Sequence, residues 1–172
     1  MSDVLRTARL VLRRAAPGDL ADLHRVWSNP AAMRYWSVPE HETLAQSEAY
    51  LRLMIEAGPD SDDFVIERDG RVIGKAGAWA VPEIGFLLHP DHWGQGLARE
   101  ALEAVIPWLF ARHAVPALTA EADPRNAASL RLLGRLGFVE THRAERTLLW
   151  RDEWCDSVYL ALPRTDRARG MP

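Results

Sequence analysis

The sequence predicts one mixed α/β domain, and three observations carry that reading. With 172 residues, 48% of them apolar, the chain can bury a single sizeable core. Strand-like and helix-like patterns are interleaved, with a group of strands in the middle and a further pair near the end. No internal repeat or low-complexity linker interrupts them, so residues 1–163 read as one domain.

Leu10-Val11-Leu12-Arg13 reads as the first strand. Pro17-Gly18-Asp19 then opens a helical pattern through Leu20, Leu23, Val26 and Trp27, which Asn29-Pro30 stops. Over residues 42–57, Leu44, Tyr50, Leu51, Met54 and Ile55 recur at near-helical spacing, and Ala57-Gly58-Pro59 ends the segment. Phe64 to Glu67 and Arg71 to Gly74 flank Asp69-Gly70, a hairpin signal because the turn needs positive φ angles. Val81-Pro82 breaks the next run and Glu83 to His89 resumes it, predicting three consecutive antiparallel strands.

A helix is expected from about Gln95 to His113, with Ala98, Ala101, Leu102, Val105 and Leu109 on one face. Pro107 removes a backbone donor and predicts a kink there, while Arg99, Glu100, Glu103 and Arg112 read as a solvated face. Ala117 to Glu121 is a short strand. Residues 126–136 form a helix carrying Leu130, Leu133 and Leu136 and closed by Gly137. Phe138 to Trp150 and Trp154 to Leu162 make a last hairpin, and the polar tail Arg164 to Pro172 is expected to be disordered.

The formal charge of −3, from 21 basic and 24 acidic residues mixed along the chain, is no nucleic-acid footprint. Cys155 has no second cysteine to bridge, and Met1 to Arg6 lacks the apolar stretch of a signal peptide or membrane span. A cytoplasmic protein with neither nucleic-acid nor membrane partner is expected, as a monomer or homodimer. His89 and His92 have metal-like spacing, but no further ligand lies close in sequence, so no metal site is expected.

Residues 83–101 run from an apolar strand through Trp93-Gly94-Gln95-Gly96 into a helix. The first amides of a helix lack carbonyl partners and sit at the positive end of its dipole, and glycines let a phosphate approach the backbone. A pyrophosphate-bearing ligand is therefore expected at Gly94, Gln95, Gly96, Leu97 and Ala98. A Rossmann turn does not fit, because the preceding strand follows a hairpin and no third glycine has the required spacing. A Walker loop does not fit either, lacking its Gly-Lys-Ser/Thr ending.

Four features in order give the chain its resemblance: Thr7 to Arg13; Pro30-Ala31-Ala32-Met33-Arg34-Tyr35-Trp36; the strand-turn-helix segment just described; and Asn126-Ala127-Ala128-Ser129 followed by Leu136-Gly137-Phe138. Together they resemble the GNAT acyl-CoA-dependent N-acyltransferase superfamily, in particular its RimJ/RimL-like branch of ribosomal-protein N-terminal acetyltransferases. The resemblance implies a central, mostly antiparallel mixed sheet flanked by helices and splayed near Gly85 to His89, with acetyl-CoA in the opening. The superfamily's pyrophosphate motif falls on Trp93 to Ala98, with Trp93 in place of the usual basic or amide residue. The same resemblance implies that Phe86, Leu87 and Leu88 pair with the pantetheine arm like an added strand and that Asn126 contacts it.

It further implies Glu83 as general base, directly or through water. The superfamily's tyrosine acid falls on Leu133, so that acid is absent, and Ser129 on the same helix can donate to the sulfur instead. Each residue also has a plain structural reading: Glu83 as a solvated carboxylate, Ser129 as a first-turn serine, Asn126 as a helix cap. Tyr35, Trp36, Trp79 and Trp150 can wall an acceptor pocket, but large aromatics fill cores more often, and most of these are expected there. The implied reaction is acetyl transfer to an amine, with a peptide N-terminus as acceptor. A small-molecule amine such as an antibiotic or polyamine, or a non-enzymatic acyl-CoA-binding module, remains as an alternative.

Overall fold

The computed structural model describes residues 4–165. Its strands are β1 (Leu5–Arg6), β2 (Val11–Arg13), β3 (Asp62–Arg68), β4 (Arg71–Ala80), β5 (Glu83–Leu88), β6 (Ala117–Ala122), β7 (Val139–Trp150) and β8 (Glu153–Pro163). Its helices are α1 (Leu20–Trp27), α2 (Pro30–Met33), α3 (Leu44–Ala57), α4 (Leu97–Arg112) and α5 (Ala127–Arg135). The strands form one sheet in the order β1-β2-β3-β4-β5-β6-β8-β7, antiparallel everywhere except between β5 and β6.

Local chemistry sets most boundaries where the sequence put them. Asp69 and Gly70 have φ of 52° and 77°, as the tight β3–β4 turn requires. Thr43 accepts from the Gln46 amide while the Gln46 side chain accepts from the Thr43 amide, so a reciprocal cap starts α3. Two elements went unseen. β1 is too short to leave a periodic signal. Asn29-Pro30 ends α1 but also starts α2, because the Asn29 side chain accepts from the Ala31 and Ala32 amides and Pro30 needs no amide partner at the first helical position.

The sheet separates two cores, and side chains of β3 alternate between them. Phe64 and Ile66 face a core shared with Leu97, Leu102, Val105 and Leu109 of α4 and Leu133 of α5. Val65 joins Leu23, Val26, Trp27, Met33 and Leu51 on the α1–α3 side. α4 continues through Pro107 to Arg112, although the Glu103 carbonyl has no amide from position 107.

The solvated face expected on α4 is only partly so. Arg99 and Glu103 pair in solvent, but Glu100 accepts from Thr7 Oγ1 at 2.6 Å and from the Arg9 backbone at 2.8 Å, and Arg112 lies 3.4 Å from buried Asp62. These contacts cross long stretches of chain, which helical periodicity cannot register. At the other end, Arg164 donates to the carbonyls of Phe110, Val115 and His113, and its amide donates to Pro116 at 2.8 Å. Residues 166–172, the rest of the expected tail, lie outside the described residues.

Candidate active site

The sheet opens where its one parallel pair begins. β5 and β6 are in register only at Glu83 and Thr119, with the Thr119 amide donating to the Pro82 carbonyl at 2.9 Å. Along its other edge β5 stays with β4, pairing Gly74 with Leu88 and Ala76 with Phe86, and the His89 amide donates to Ile73. In that register Leu87 turns its backbone groups into β4, whereas Phe86 and Leu88 turn theirs toward the gap. Trp93 Nε1 donates to the Leu88 carbonyl at 2.9 Å, so one of these groups already has a partner. The gap belongs to a cleft of about 1660 Å³.

α4 points its first turn into this cleft. Gly94 and Gly96 have φ of 70° and 74°, a region that side chains with a Cβ rarely adopt. Gly96 is the helix N-cap and supplies no side-chain cap, leaving the first amides without a side-chain partner. A Cβ at Gly94 would meet nothing within 4 Å, so the space in front of the loop is open. Gly94, Gly96, Leu97 and Ala98 line the cleft. The Gln95 side chain is instead held outside it, accepting from Arg68 at 2.8 Å and donating to the Asp91 carbonyl at 3.1 Å. This geometry accepts an anionic, pyrophosphate-like group through backbone amides.

Phe86, Leu87 and Leu88 line the same cleft, and α5 forms its opposite wall. Asn126 caps α5, its side-chain oxygen accepting from the Ser129 amide at 3.2 Å, which leaves its NH₂ group available. Ser129 faces the cleft, and its hydroxyl has no hydrogen-bond partner among the described residues. Leu133 is fully buried in the core beneath. A gap lined by peptide edges, open helix amides and a free amide donor is of the right kind for acetyl-CoA, with its phosphates and amide-bearing arm.

On the α1–α3 side the cleft becomes acidic and aromatic. Ile84 faces the α4 core, so neighbouring Glu83 faces the other way, toward Glu121 on β6. Glu83 is exposed, yet partial burial of its carboxyl, with the nearby charge of Glu121, pushes its pKa above the ordinary glutamate range. Glu121 is held by the Ser157 hydroxyl, which also meets Thr147. Deeper in, Lys75 forms a buried ion pair with Asp63 and lies 5.2 Å from the centre of the Trp36 ring. Burial opposes the Lys75 charge, but Asp63 and Tyr50 outweigh it and hold its pKa above the usual lysine range.

Tyr35, Trp36, Trp79 and Trp150 all line this half, which corrects the expectation that most would fill the core. Trp27 takes the core place instead, fully buried against His41 and Tyr50. Counting aromatics cannot tell a cleft wall from a core. The sequence reading gave no site role to Glu121, Asp63, Lys75 or Arg34: Glu121 and Arg34 meet partners far along the chain, and Asp63 and Lys75 meet diagonally across one hairpin, a pairing that residue type alone does not signal. Among the described residues no group of three or more His, Cys, Asp or Glu can hold a metal ion, and no helix is long and apolar enough to cross a membrane.

The chain is 27% identical over 146 residues to the uncharacterized N-acetyltransferase p20 of Bacillus licheniformis, covering 79% of this chain and 82% of that protein. Its fold matches the GNAT-family acetyltransferase from Bacillus anthracis with a TM-score of 0.81 at 19% identity, over 93% of this chain and 98% of that one. It also matches RimL, a ribosomal L7/L12 alpha-N-protein acetyltransferase solved with coenzyme A, with a TM-score of 0.82 at 17% identity, covering 93% and 97%. Residues 9–139 match the acetyltransferase (GNAT) domain family, and the chain belongs to that family as an acetyl-CoA-dependent N-acetyltransferase.

Proposed function

We propose that this enzyme acetylates an α-amine, that of a peptide or protein N-terminus, in the manner of the RimJ/RimL branch. The observation that carries the reading is Glu83, a carboxylate of raised basicity placed where β5 and β6 part, between the cofactor half and the acceptor half. An α-amine titrates near ~7.8 and a lysine near ~10.4, a gap of about 2.6 units worth roughly 3.5 kcal/mol in presenting a neutral nucleophile. A single partly exposed glutamate meets the smaller demand more readily. RimL, the coenzyme A-bound neighbour in fold, is itself an alpha-N-protein acetyltransferase.

Acetyl-CoA supplies an acetyl group activated as a thioester. In this reading the amides of Gly94 to Ala98 hold its pyrophosphate, the backbone edge of Phe86 and Leu88 pairs with its pantetheine arm, and the Asn126 NH₂ group adds a donor. Leu87 contributes by packing beneath that edge. Glu83 takes the proton from the acceptor ammonium, directly or through a water, leaving a neutral amine beside the acetyl group. The amides of β5 that face the gap donate to the charge that develops on the acetyl oxygen. Thiols titrate near ~8.5, so the departing sulfur needs only modest help, which in this reading comes from the Ser129 hydroxyl.

The test is thiol release from acetyl-CoA with matched peptides, one set with free α-amines and blocked lysines, the other α-blocked with free lysines. The proposal expects a higher kcat/KM for the first set. A clearly higher value for the lysine set contradicts it, and turnover with neither moves the acceptor to a small-molecule amine.

A further inference from the structure

A strap of side chains crosses the acceptor half of the cleft. The segment after α2 contributes Arg34, Trp36 and Glu40, and the β7–β8 turn contributes Trp150, Arg151 and Glu153. Arg151 pairs with Glu40, Arg34 lies 3.9 Å from Glu153, and the Arg34 guanidinium carbon sits 5.6 Å from the centre of the Trp150 ring. Arg34, Trp36 and Trp150 line the cleft.

Unpaired polar atoms gather at this junction. Among the described residues, five buried side-chain polar atoms lack a hydrogen-bond partner, and four of them are Arg34 Nη1, Trp36 Nε1, Glu40 Oε2 and Trp150 Nε1. Burying a donor or acceptor without a partner is costly, so three such donors on residues that line one cleft, with the Glu40 oxygen on the same strap, mark partners still to come. Three are N–H donors and one is a carboxylate oxygen. Their combined complement is a set of carbonyl oxygens and an N–H, which is what a peptide backbone presents. The Arg34–Glu153 contact joins side chains 40% and 49% exposed, and Arg151 in the Arg151–Glu40 pair is 50% exposed, so solvent weakens both closures of the strap.

We propose that the strap parts to admit the acceptor, and that Arg34, Trp36 and Trp150 then donate to its backbone carbonyl oxygens while Glu40 accepts from an amide. The acceptor class is therefore amines carrying peptide groups next to the reacting nitrogen, and alkyl polyamines lie outside it. This deepens the α-amine reading above and rests on it.

The experiment compares a dipeptide amide having a free α-amine with an alkyl diamine, rates being expressed per neutral amine. Trp36→Phe and Trp150→Phe keep the rings and remove the donors. The parent should favour the dipeptide amide by at least about 10-fold in kcat/KM. Each variant should raise the dipeptide KM by about 3- to 10-fold, more than it raises the diamine KM, with the KM for acetyl-CoA unchanged. In the ¹⁵N-labelled parent with coenzyme A, the dipeptide amide should move the indole N–H resonances of Trp36 and Trp150.

Stationary indole resonances, or a diamine used as well as the dipeptide, overturn the clamp. If the dipeptide is still acetylated in that case, the α-amine reading survives. Shifted resonances without any acetyl transfer to the dipeptide support the clamp and overturn the α-amine reading. The resonance shifts in the parent decide the matter even if a variant fails to fold.

Discussion

Glu83, the proposed base, is destabilised as an anion by its partial burial and by the nearby charge of Glu121. Its carboxyl binds a proton more tightly in the folded protein than in the unfolded chain, so at neutral pH its charge opposes folding, and that penalty disappears as pH falls through its raised pKa. Glu83→Gln should therefore leave the melting temperature at neutral pH the same or slightly higher, with kcat lower by about 10²-fold or more. Acetyl-CoA affinity should be largely intact. In the parent, kcat should fall as pH drops through the Glu83 pKa, and Glu121→Gln should move that fall to lower pH, since burial still raises the pKa but the added push of the Glu121 charge is gone. A Glu83→Gln enzyme with the parental kcat and pH profile removes Glu83 from the chemistry.

Lys75 and Asp63 make a second residue-scale case. Lys75→Met leaves the Asp63 carboxylate buried without its partner and should cost about 3–5 kcal/mol in urea unfolding, whereas Lys75→Met with Asp63→Leu should recover most of it. Equal stability of the two variants contradicts a buried ion pair. Glu83 was named from the sequence through the family resemblance, as the residue that starts the strand leading to the glycine loop. Glu121 was not, because it comes beside Glu83 only through a parallel pairing reached after all of α4 has intervened.

At the scale of elements, reading the sequence succeeded wherever a signal is local. The Asp69-Gly70 turn, the Gly58 stop and the Asn126 start all depend on a few adjacent backbone angles or donors, and those are written in consecutive residues. It failed where one signal served two elements, as Asn29-Pro30 does, or where tertiary placement decides, as for the four cleft aromatics. Asn126 joins local structure to proposed function and can be split experimentally. Asn126→Ala removes the cap and should cost about 1 kcal/mol of stability, while Asn126→Asp keeps the cap oxygen and loses only the NH₂ donor. Weaker acetyl-CoA binding in both variants fits the proposed contact with the pantetheine arm. Weaker binding in Ala alone reduces Asn126 to a cap.

For the whole molecule, the single Glu83–Thr119 register pair is the feature from which the rest follows. Antiparallel pairing on either side keeps two well-packed half-sheets, and the loss of pairing beyond Glu83 opens a passage from the α4 side to the α1–α3 side. A cofactor held at the helix amides can thus be met by an acceptor arriving from the opposite face. The order of strands and helices was legible from hydrophobic patterning. The splay was not: it entered through the family resemblance, since nothing in β5 or β6 alone says that they diverge.

Acetyl-CoA is proposed to lie in that opening against the α4 amides, and calorimetric titration of Gly96→Val tests that placement most directly. A control at Gly70→Val imposes similar backbone strain at φ 77° in the β3–β4 turn, where an added Cβ meets nothing within 4 Å, and Gly70 is not among the residues lining the cleft. Acetyl-CoA affinity should be weakened at least about 10-fold in a folded Gly96→Val protein and unchanged in Gly70→Val. Parental affinity in folded Gly96→Val contradicts the placement.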